Sequence, residues 1–200
     1  MRPFPDRNIY FLTGYQGSYW VSLADSAAKI LKDDGIELSV IYTEGAVENA
    51  KRLNDANDEA SAGFTYGMAL DKAQLEGIYS LGSVGYEPVW IIYNKNKIGE
   101  IKTLRGLALF KIGLWPANSS SYQVAKKIFE ITGIRLEGNQ NFLSDSAEQN
   151  QKRFKSGELD GVILVPTNLD PVIKIYWNFR VALCLILKMR QLTRSRSILL

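Results

Sequence analysis

The sequence predicts an α/β fold in which short strands alternate with helices, and three observations support this prediction. Short apolar runs of strand length recur along the chain, separated by segments in which apolar residues repeat at helical spacing. Glycine residues occur at several points where the strand-like pattern changes to the helix-like pattern. The segment order of the first half returns in the second half, so we expect two lobes, each a mostly parallel sheet flanked by helices.

The first half alternates strands and helices from its start. Predicted strands cover residues 9–13, 37–42, 63–66 and 78–81. Predicted helices cover 19–32, 47–54 and 68–75, and the first carries its apolar residues on one face, as an amphipathic helix does. The turn 85–88 and the apolar strand Val89–Tyr93 follow. We place the lobe boundary there.

The second half is predicted to contain strands at 111–114, 141–143 and 161–165, with helices at 120–132 and 147–155. The resulting domain prediction has four parts. They are lobe 1 at residues 1–88, a hinge strand and linker at 89–97, lobe 2 at 98–170, and an atypical basic tail at 171–200.

Composition excludes several kinds of enzyme. The chain has no histidine, which is the commonest general base and metal ligand, so nucleophiles paired with histidine are excluded. A single cysteine, Cys184, excludes an intrachain disulfide and a zinc site of the CxxC kind. We therefore expect no metal, no cofactor and no enzymatic activity, although catalysis by a carboxylate or a lysine stays open.

Charge is distributed unevenly along the chain. Of the 24 basic residues, six follow Asp170, where there is no acidic residue. The remainder of the chain is mildly acidic and has no basic surface pattern, so we expect no nucleic-acid partner. The apolar runs Ile9–Leu12 and Val181–Leu187 are too short for a signal peptide or a membrane-spanning helix, and none is expected within these residues.

Short stretches that join a turn to a helix or strand occur in a fixed order from Thr13 to Gly161. They are Thr13–Trp20 (TGYQGSYW), Thr43–Asn49 (TEGAVEN), Tyr86–Val89 (YEPV), Leu104–Gly106 followed by Lys111–Ser121, and Phe154–Gly161 (FKSGELDG). In this order and spacing the chain resembles the TAXI family of solute-binding proteins of TRAP transporters, which have the type II periplasmic-binding fold. It departs from the family pattern at Glu44, where the family has glycine, and at Trp115–Asn118, where the family has a glycine pair.

The resemblance implies a two-lobed protein that holds a small anionic or zwitterionic solute between its lobes. Glutamate, glutamine and dicarboxylates are the solutes implied, the permease subunits of the transporter are the implied membrane partners, and the periplasm is the implied location. The resemblance fades after Asp170–Val172. Residues 171–200 are predicted to be either the product of a truncated or frameshifted gene or a basic amphipathic helix at about 176–192.

Loops at the carboxyl ends of parallel strands line the crevice of an open α/β sheet. Three predicted loops run from such strand ends into helices, where backbone N–H groups and the helix dipole favour a carboxylate. Hydroxyl and aromatic side chains in these loops add donors and apolar walls. The residues predicted to bind the ligand are Thr13, Gly14, Tyr15, Gly17, Ser18, Tyr19, Thr43, Gly45, Trp115, Asn118, Ser119, Ser120 and Ser121.

Several of these residues have ordinary structural interpretations that stay open at this point. Ser119–Ser121 can serve as a helix cap with or without ligand contact, and Trp20 and Trp115 can belong to the core or to the ligand wall. Glu44 and Glu48 are better explained by a solvated helix start than by a metal site. The Gly14–Gly17 loop lacks the third glycine of a dinucleotide fingerprint.

Two other functions are the alternatives to a solute receptor. An enzyme on the same two-lobed scaffold would use a carboxylate or Lys111 as its base. A non-functional or regulatory fragment of a binding protein is the other, and the change of composition after residue 170 favours it.

Overall fold

The computed structural model describes residues 7–85, 87–166, 173, 176 and 182–185. Tyr86 of the YEPV motif and most of the predicted tail lie outside the described residues. The chain divides into two compact units, residues 1–83 and 84–200. The predicted domain limits, including the hinge role of 89–97, stay predictions.

The first unit is built on a three-stranded parallel sheet. The strands β1 (Asn8–Leu12), β2 (Glu37–Ile41) and β3 (Ala62–Gly63) are arranged in the order β2-β1-β3. Helix α1 (Tyr19–Asp33) follows β1, and α2 (Ala46–Leu53) follows β2. Both crossovers therefore return the chain to a parallel strand, as the sequence predicts.

The chain after β3 differs from the prediction in two places. A single helix was expected at 68–75, but the structure has a 3₁₀ turn at Gly67–Ala69 and a separate helix, α3 (Lys72–Leu75). The break lies at Leu70 and Asp71, which are extended, because Asp71 caps α3 by accepting a hydrogen bond from the backbone N–H of Gln74.

The predicted strand at 78–81 is wrong. These residues form no strand, and Tyr79 and Leu81 are 90% and 98% exposed. An apolar run becomes a strand only where a neighbouring strand pairs with its backbone, and none of the described strands pairs with this segment.

The second unit contains a five-stranded mixed sheet of order β6-β5-β7-β4-β8. Its strands are β4 (Val89–Tyr93), β5 (Ile112–Leu114), β6 (Phe142–Ser144), β7 (Gly161–Leu164) and β8 (Ala182–Leu185). Its helices are α4 (Lys95–Ile98), α5 (Leu104–Leu107), α6 (Ser120–Ile131) and α7 (Ala147–Ser156). Strand β5 is parallel to β6 and β7, whereas β4 is antiparallel to β7 and β8.

Strand β8 lies within the predicted tail. Its residues pair with Val89–Ile92, so the alternative prediction of a helix across 176–192 is wrong at residues 182–185. Ile173 and Tyr176 also join the core of this unit, where they pack in one cluster with Ile92, Phe154 and residues of β7. Part of the chain after residue 170 therefore belongs to the folded second unit.

A buried carboxylate fixes the start of β5. One oxygen of Asp160 accepts a hydrogen bond from the backbone N–H of Lys111 at 2.8 Å, and the other forms an ion pair with Lys97 at 2.5 Å. Asp160 is buried, and such a group is retained where its lone pairs are satisfied. Lys111 therefore lies at the amino end of the strand, away from the loop that follows Leu114.

Burial of the Tyr176 ring predicts a loss of stability at alkaline pH. Removal from water raises the pKa of Tyr176 from its ordinary 10.0 to about 12. Its contribution to stability is therefore complete below pH 10 and is lost as the pH rises toward 12. We expect the urea midpoint of unfolding to decrease as the pH rises from 10 toward 12, and to decrease less steeply in Tyr176→Phe. An equally steep decline in the variant would show that other groups cause the loss.

Candidate functional site

The strand-end loops of the first unit are held together by backbone hydrogen bonds. The N–H and hydroxyl of Thr13 both donate to the carbonyl of Ile41, at 3.0 and 2.8 Å. The N–H of Thr43 donates to the carbonyl of Gly14 at 3.0 Å. The predicted ligand residues Thr13, Gly14 and Thr43 therefore lie together where β1 and β2 end, and all three are buried.

Ser18 occupies the N-cap position of α1 but does not cap it with its side chain. Its N–H donates to the carbonyl of Tyr15, while its hydroxyl makes no capping bond. The residue is 1% exposed, and its Oγ has no hydrogen-bond partner among the described residues. A Cβ on Gly14 would stand 3.2 Å from this Oγ, so the glycine keeps the space beside the hydroxyl free of a side chain.

The other predicted residues of the first loop differ in their surroundings. Tyr15 is half exposed, and Gly17 has a φ of +84°, which glycine adopts without steric cost. Tyr19 is half-buried, and its ring lies 5.4 Å from that of Trp20. The Trp20 ring lies 5.0 Å from that of Phe64, just after β3, which supports the core interpretation of Trp20.

The loop between β2 and α2 is ordered by the helix that it opens. Gly45 is the N-cap, with a φ of 109°, and its N–H donates to the Thr43 hydroxyl at 3.2 Å. The Glu48 carboxylate accepts from the N–H of Glu44 at 2.8 Å and lies 3.7 Å from Arg52. This arrangement supports the helix-start interpretation of the two glutamates. Within the described ranges, no group of three potential metal-ligating side chains is found.

The corresponding loop of the second unit lies between β5 and α6. Ser119 is the N-cap of α6, and its hydroxyl accepts from the N–H of Tyr122 at 3.2 Å, which confirms the predicted cap. The Ser121 hydroxyl accepts from the N–H of Val165 at 3.0 Å, which ties the first turn of α6 to the end of β7. Ser120, the first residue of α6, is half-buried.

Trp115 and Asn118 lie in the same loop but play different parts. The carbonyl of Trp115 accepts from the Ser144 hydroxyl at 2.8 Å, and its half-buried side chain packs against the core cluster that contains Ile92. This packing supports the core interpretation of Trp115. Asn118 is exposed. Ligand contact by any of the predicted residues stays a prediction.

Two asparagines beside these loops were missed as candidates. Asn49 and Asn150 are both fully buried, and each donates two hydrogen bonds from its side-chain amide to backbone carbonyls near strand ends. A sequence signal could have found them, because each asparagine is the fourth residue of a helix that follows a strand. A polar residue at the buried position of a short amphipathic helix indicates a specific hydrogen-bonding partner.

The second unit also contains an open cavity of about 380 Å³. It is lined by residues of β5, β6 and α6 and by the segment 136–140. Glu137 of this segment forms an ion pair with Lys126 of α6 at 2.6 Å. None of the predicted ligand-binding residues lines this cavity.

No family model matches the chain, and no curated protein matches it by sequence. Solved structures do resemble it. A Bordetella bronchiseptica RB50 protein aligns at 18% identity over 85% of this chain and 53% of its own, with a TM-score of 0.58. The periplasmic aliphatic sulphonate binding protein SsuA from Escherichia coli aligns at 19% identity over 83% and 55%, with a TM-score of 0.53.

The arginine-bound form of truncated ArgBP from T. maritima aligns at 12% identity over 79% of this chain and 73% of its own, with a TM-score of 0.51. The chain spans about half the length of the Bordetella and E. coli proteins. At these identities the likeness concerns the fold, and it does not single out the TAXI family. Among the described residues, no helix has the length and apolar character needed to cross a bilayer. The chain therefore shares a mixed α/β fold with these solved structures.

Proposed function

We propose that this chain is the solute-binding receptor subunit of a TRAP-type secondary transporter, and that it captures a small carboxylate or amino acid. Glutamate, glutamine and C4-dicarboxylates are the proposed ligands, permease subunits the proposed partners, and the periplasm the proposed location. The fold shared with solute-binding proteins and the ordered motifs from Thr13 to Gly161 support this proposal. The binding proteins among the similar structures support a non-enzymatic role.

The observation that carries the proposal is the buried hydroxyl of Ser18, which has no hydrogen-bond partner among the residues that the structure describes. A buried polar group without a hydrogen bond costs about 1–3 kcal/mol, so native proteins retain few of them without a reason. This hydroxyl lies at the N-terminus of a 15-residue helix, where the helix dipole favours negative charge. A ligand carboxylate that accepts a hydrogen bond from Ser18 would satisfy the hydroxyl and benefit from the dipole.

The composition of the loops supports an uncharged mode of recognition. Residues 13–18 and 115–121 contain no charged side chain, and the charged Glu44 of the third loop is exposed. Anion recognition would therefore depend on backbone N–H groups and hydroxyls. The Ser119 and Ser121 oxygens each accept a hydrogen bond from a backbone N–H, which leaves their hydroxyl protons able to donate to a ligand.

Calorimetry of the purified chain with L-glutamate, L-glutamine and succinate tests the proposal. We expect at least one of the three to bind with one-to-one stoichiometry. A sample that is folded by circular dichroism but produces no heat with any of them would contradict the receptor function. That result would favour the alternative of a non-functional or regulatory fragment.

Ser18→Ala is expected to weaken binding while leaving stability unchanged or slightly higher. Loss of a hydrogen bond to a charged ligand costs about 1.5–3 kcal/mol, which corresponds to at least a tenfold higher Kd. Since the hydroxyl has no hydrogen-bond partner within the part of the chain that the structure describes, its removal should not lower the urea midpoint. An ordinary capping serine would instead lose about 1 kcal/mol of stability on replacement by alanine.

The matched control is Ser22→Ala, one turn later on the exposed side of α1. It should leave the Kd unchanged. If Ser18→Ala lowers stability without changing the Kd, the hydroxyl serves the fold and the proposed site is wrong.

The structure gives the enzymatic alternative little support. Lys111, the candidate base, is exposed and precedes β5, whereas the candidate ligand loop follows the other end of that strand. A base must come within hydrogen-bonding reach of the proton that it removes, and strand β5 separates Lys111 from these loop residues.

A further inference from the structure

The two units share a structural pattern in which strand, helix, strand, helix and strand follow one another. Strand β1 lies between β2 and β3 in the first unit, and β5 lies between β6 and β7 in the second. In each pattern the first strand, β1 or β5, is followed by a helix whose N-cap is a serine, Ser18 or Ser119. The second helix of each pattern, α2 or α7, carries a buried asparagine as its fourth residue.

The hydrogen bonds of these asparagines match. Asn49 donates from Nδ2 to the carbonyl of Thr13 at 2.7 Å, and Asn150 donates from Nδ2 to the carbonyl of Leu114 at 2.8 Å. Donor and acceptor are 36 residues apart in both cases. Ser18 follows Thr13 at the same interval as Ser119 follows Leu114. In both units, therefore, the asparagine holds the carbonyl at the base of the loop that leads to the serine.

Each asparagine also holds a second strand-end carbonyl. The other hydrogen of Asn49 is donated to Phe64, just after β3, at 2.8 Å. The other hydrogen of Asn150 is donated to Asp145, just after β6, at 3.1 Å. Among side chains as short as asparagine, only the amide offers two hydrogen-bond donors from one nitrogen. Aspartate has the same shape but offers no donor when it is ionised. Each residue thus ties two strand ends together at the loop edge of its sheet.

The environment of Asn150 shows that the site is closely fitted. A Cβ on Gly113 of β5 would stand 2.8 Å from Asn150 Oδ1, so the glycine leaves the space that the amide occupies. In both asparagines the Oδ1 atom has no hydrogen-bond partner among the described residues. Both side chains therefore bind the strand ends through their amide hydrogens and not through their carbonyl oxygens.

We propose that Asn49 and Asn150 are matched positioning residues that set the geometry of the candidate ligand loops in the two units. The inference rests on the proposed function for the ligand, but the order of the loops can be measured without a ligand. Loss of the Asn49 donors removes the hydrogen bonds to the carbonyls of Thr13 and Phe64. Loss of the Asn150 donors removes those to Leu114 and Asp145, although Leu114 still accepts from the N–H of Asp145 at 3.0 Å. The strand ends are then held by fewer hydrogen bonds, and the loop residues Thr13–Ser18 or Leu114–Ser119 become less ordered.

Asn49→Asp and Asn150→Asp test the proposal by hydrogen exchange of the full chain. In Asn49→Asp we expect about tenfold faster exchange in peptides covering residues 13–20 and 62–66, with residues 112–121 unchanged. In Asn150→Asp we expect the same change in residues 112–121, with residues 13–20 unchanged. Each variant thus serves as a control for the other. Equal acceleration across a whole unit would indicate a purely structural role and would overturn the proposal.

Asn54→Asp, at the C-cap of the same helix, is the matched control. Its Nδ2 donates to the carbonyl of Gln74 at 2.9 Å at an exposed position, so the exchange of residues 13–20 should not change. If wild-type protein binds one of the three compounds in the panel, Asn49→Asp and Asn150→Asp should raise that Kd at least tenfold, and Asn54→Asp should not. If none binds, the receptor function fails while the exchange results still decide the role of the asparagines.

A measurement on the unchanged chain covers the case in which a variant does not fold. In ¹⁵N spectra recorded after transfer to D₂O, the side-chain amide signals of Asn49 and Asn150 should persist long after that of Asn54 disappears. Loss of all three signals at the same rate would show that the two asparagines hold no protected hydrogen bonds, and the proposal would fail.

Discussion

Phe129→Ala is expected to lower the free energy of unfolding by about 3–5 kcal/mol, as large-to-small changes in protein cores do. Phe129 is 0% exposed, and its ring meets that of Phe142 at a centroid distance of 4.9 Å in a T-shaped arrangement. Helix α6 therefore anchors to β6 through this pair. The truncation removes the aromatic contact and leaves a cavity that the surrounding backbone of the sheet cannot close.

Urea unfolding followed by tryptophan fluorescence measures this loss. The control is Ile131→Ala, two residues later on α6, where the side chain is 54% exposed and the expected change is within about 0.5 kcal/mol. If both variants lose the same stability, α6 does not pack on the sheet through Phe129.

Gly161→Ala is expected to destabilise the second unit by about 1–3 kcal/mol, the usual cost of overpacking a filled interior. A Cβ at this position would stand 2.9 Å from the carbonyl oxygen of Ile92 and 3.1 Å from the Cβ of Tyr93. Both neighbours belong to β4, so relief of the contact requires the backbones of β4 and β7 to separate. Strand pairing would then weaken at the centre of the sheet.

Gly67→Ala is the matched control for this substitution. A Cβ on Gly67 meets nothing within 4 Å, and its φ lies outside the left-handed region. Its unfolding free energy should change by no more than about 0.5 kcal/mol. A Gly161→Ala protein as stable as this control would contradict the close approach of β4 and β7.

Local patterns predicted most of the helices and strands because their signals lie within the segments themselves. Strand Val89–Tyr93 was predicted with its observed limits, since a run of β-branched and aromatic residues between turns has few other structures available. Helix α1 was predicted to within one residue at its end, where Asp34 and Gly35 stop it. The predicted strand at 78–81 failed because pairing depends on residues far away in the chain.

The candidate site was predictable in outline and not in its chemistry. The sequence indicates that Ser18, Thr43 and Ser119 follow strands and precede helices, and the structure places each of them there. It does not indicate that Ser119 caps its helix while Ser18 does not, because the choice depends on the conformation of each loop. The role of Asn49 also depends on carbonyls of β1 and β3 that only the fold brings near it.

The position of β4 has a consequence for the order in which the second unit folds. Trp90 pairs with Leu164 on one side and Cys184 on the other, so both partners of β4 are synthesised long after it. Until these distant strands pair with it, β4 presents two open edges that can pair with another chain. Pairings this distant in sequence close slowly. Aggregation during refolding should therefore originate at Val89–Tyr93, and unit 1, whose β1 and β2 are separated by one helix, should acquire its structure first.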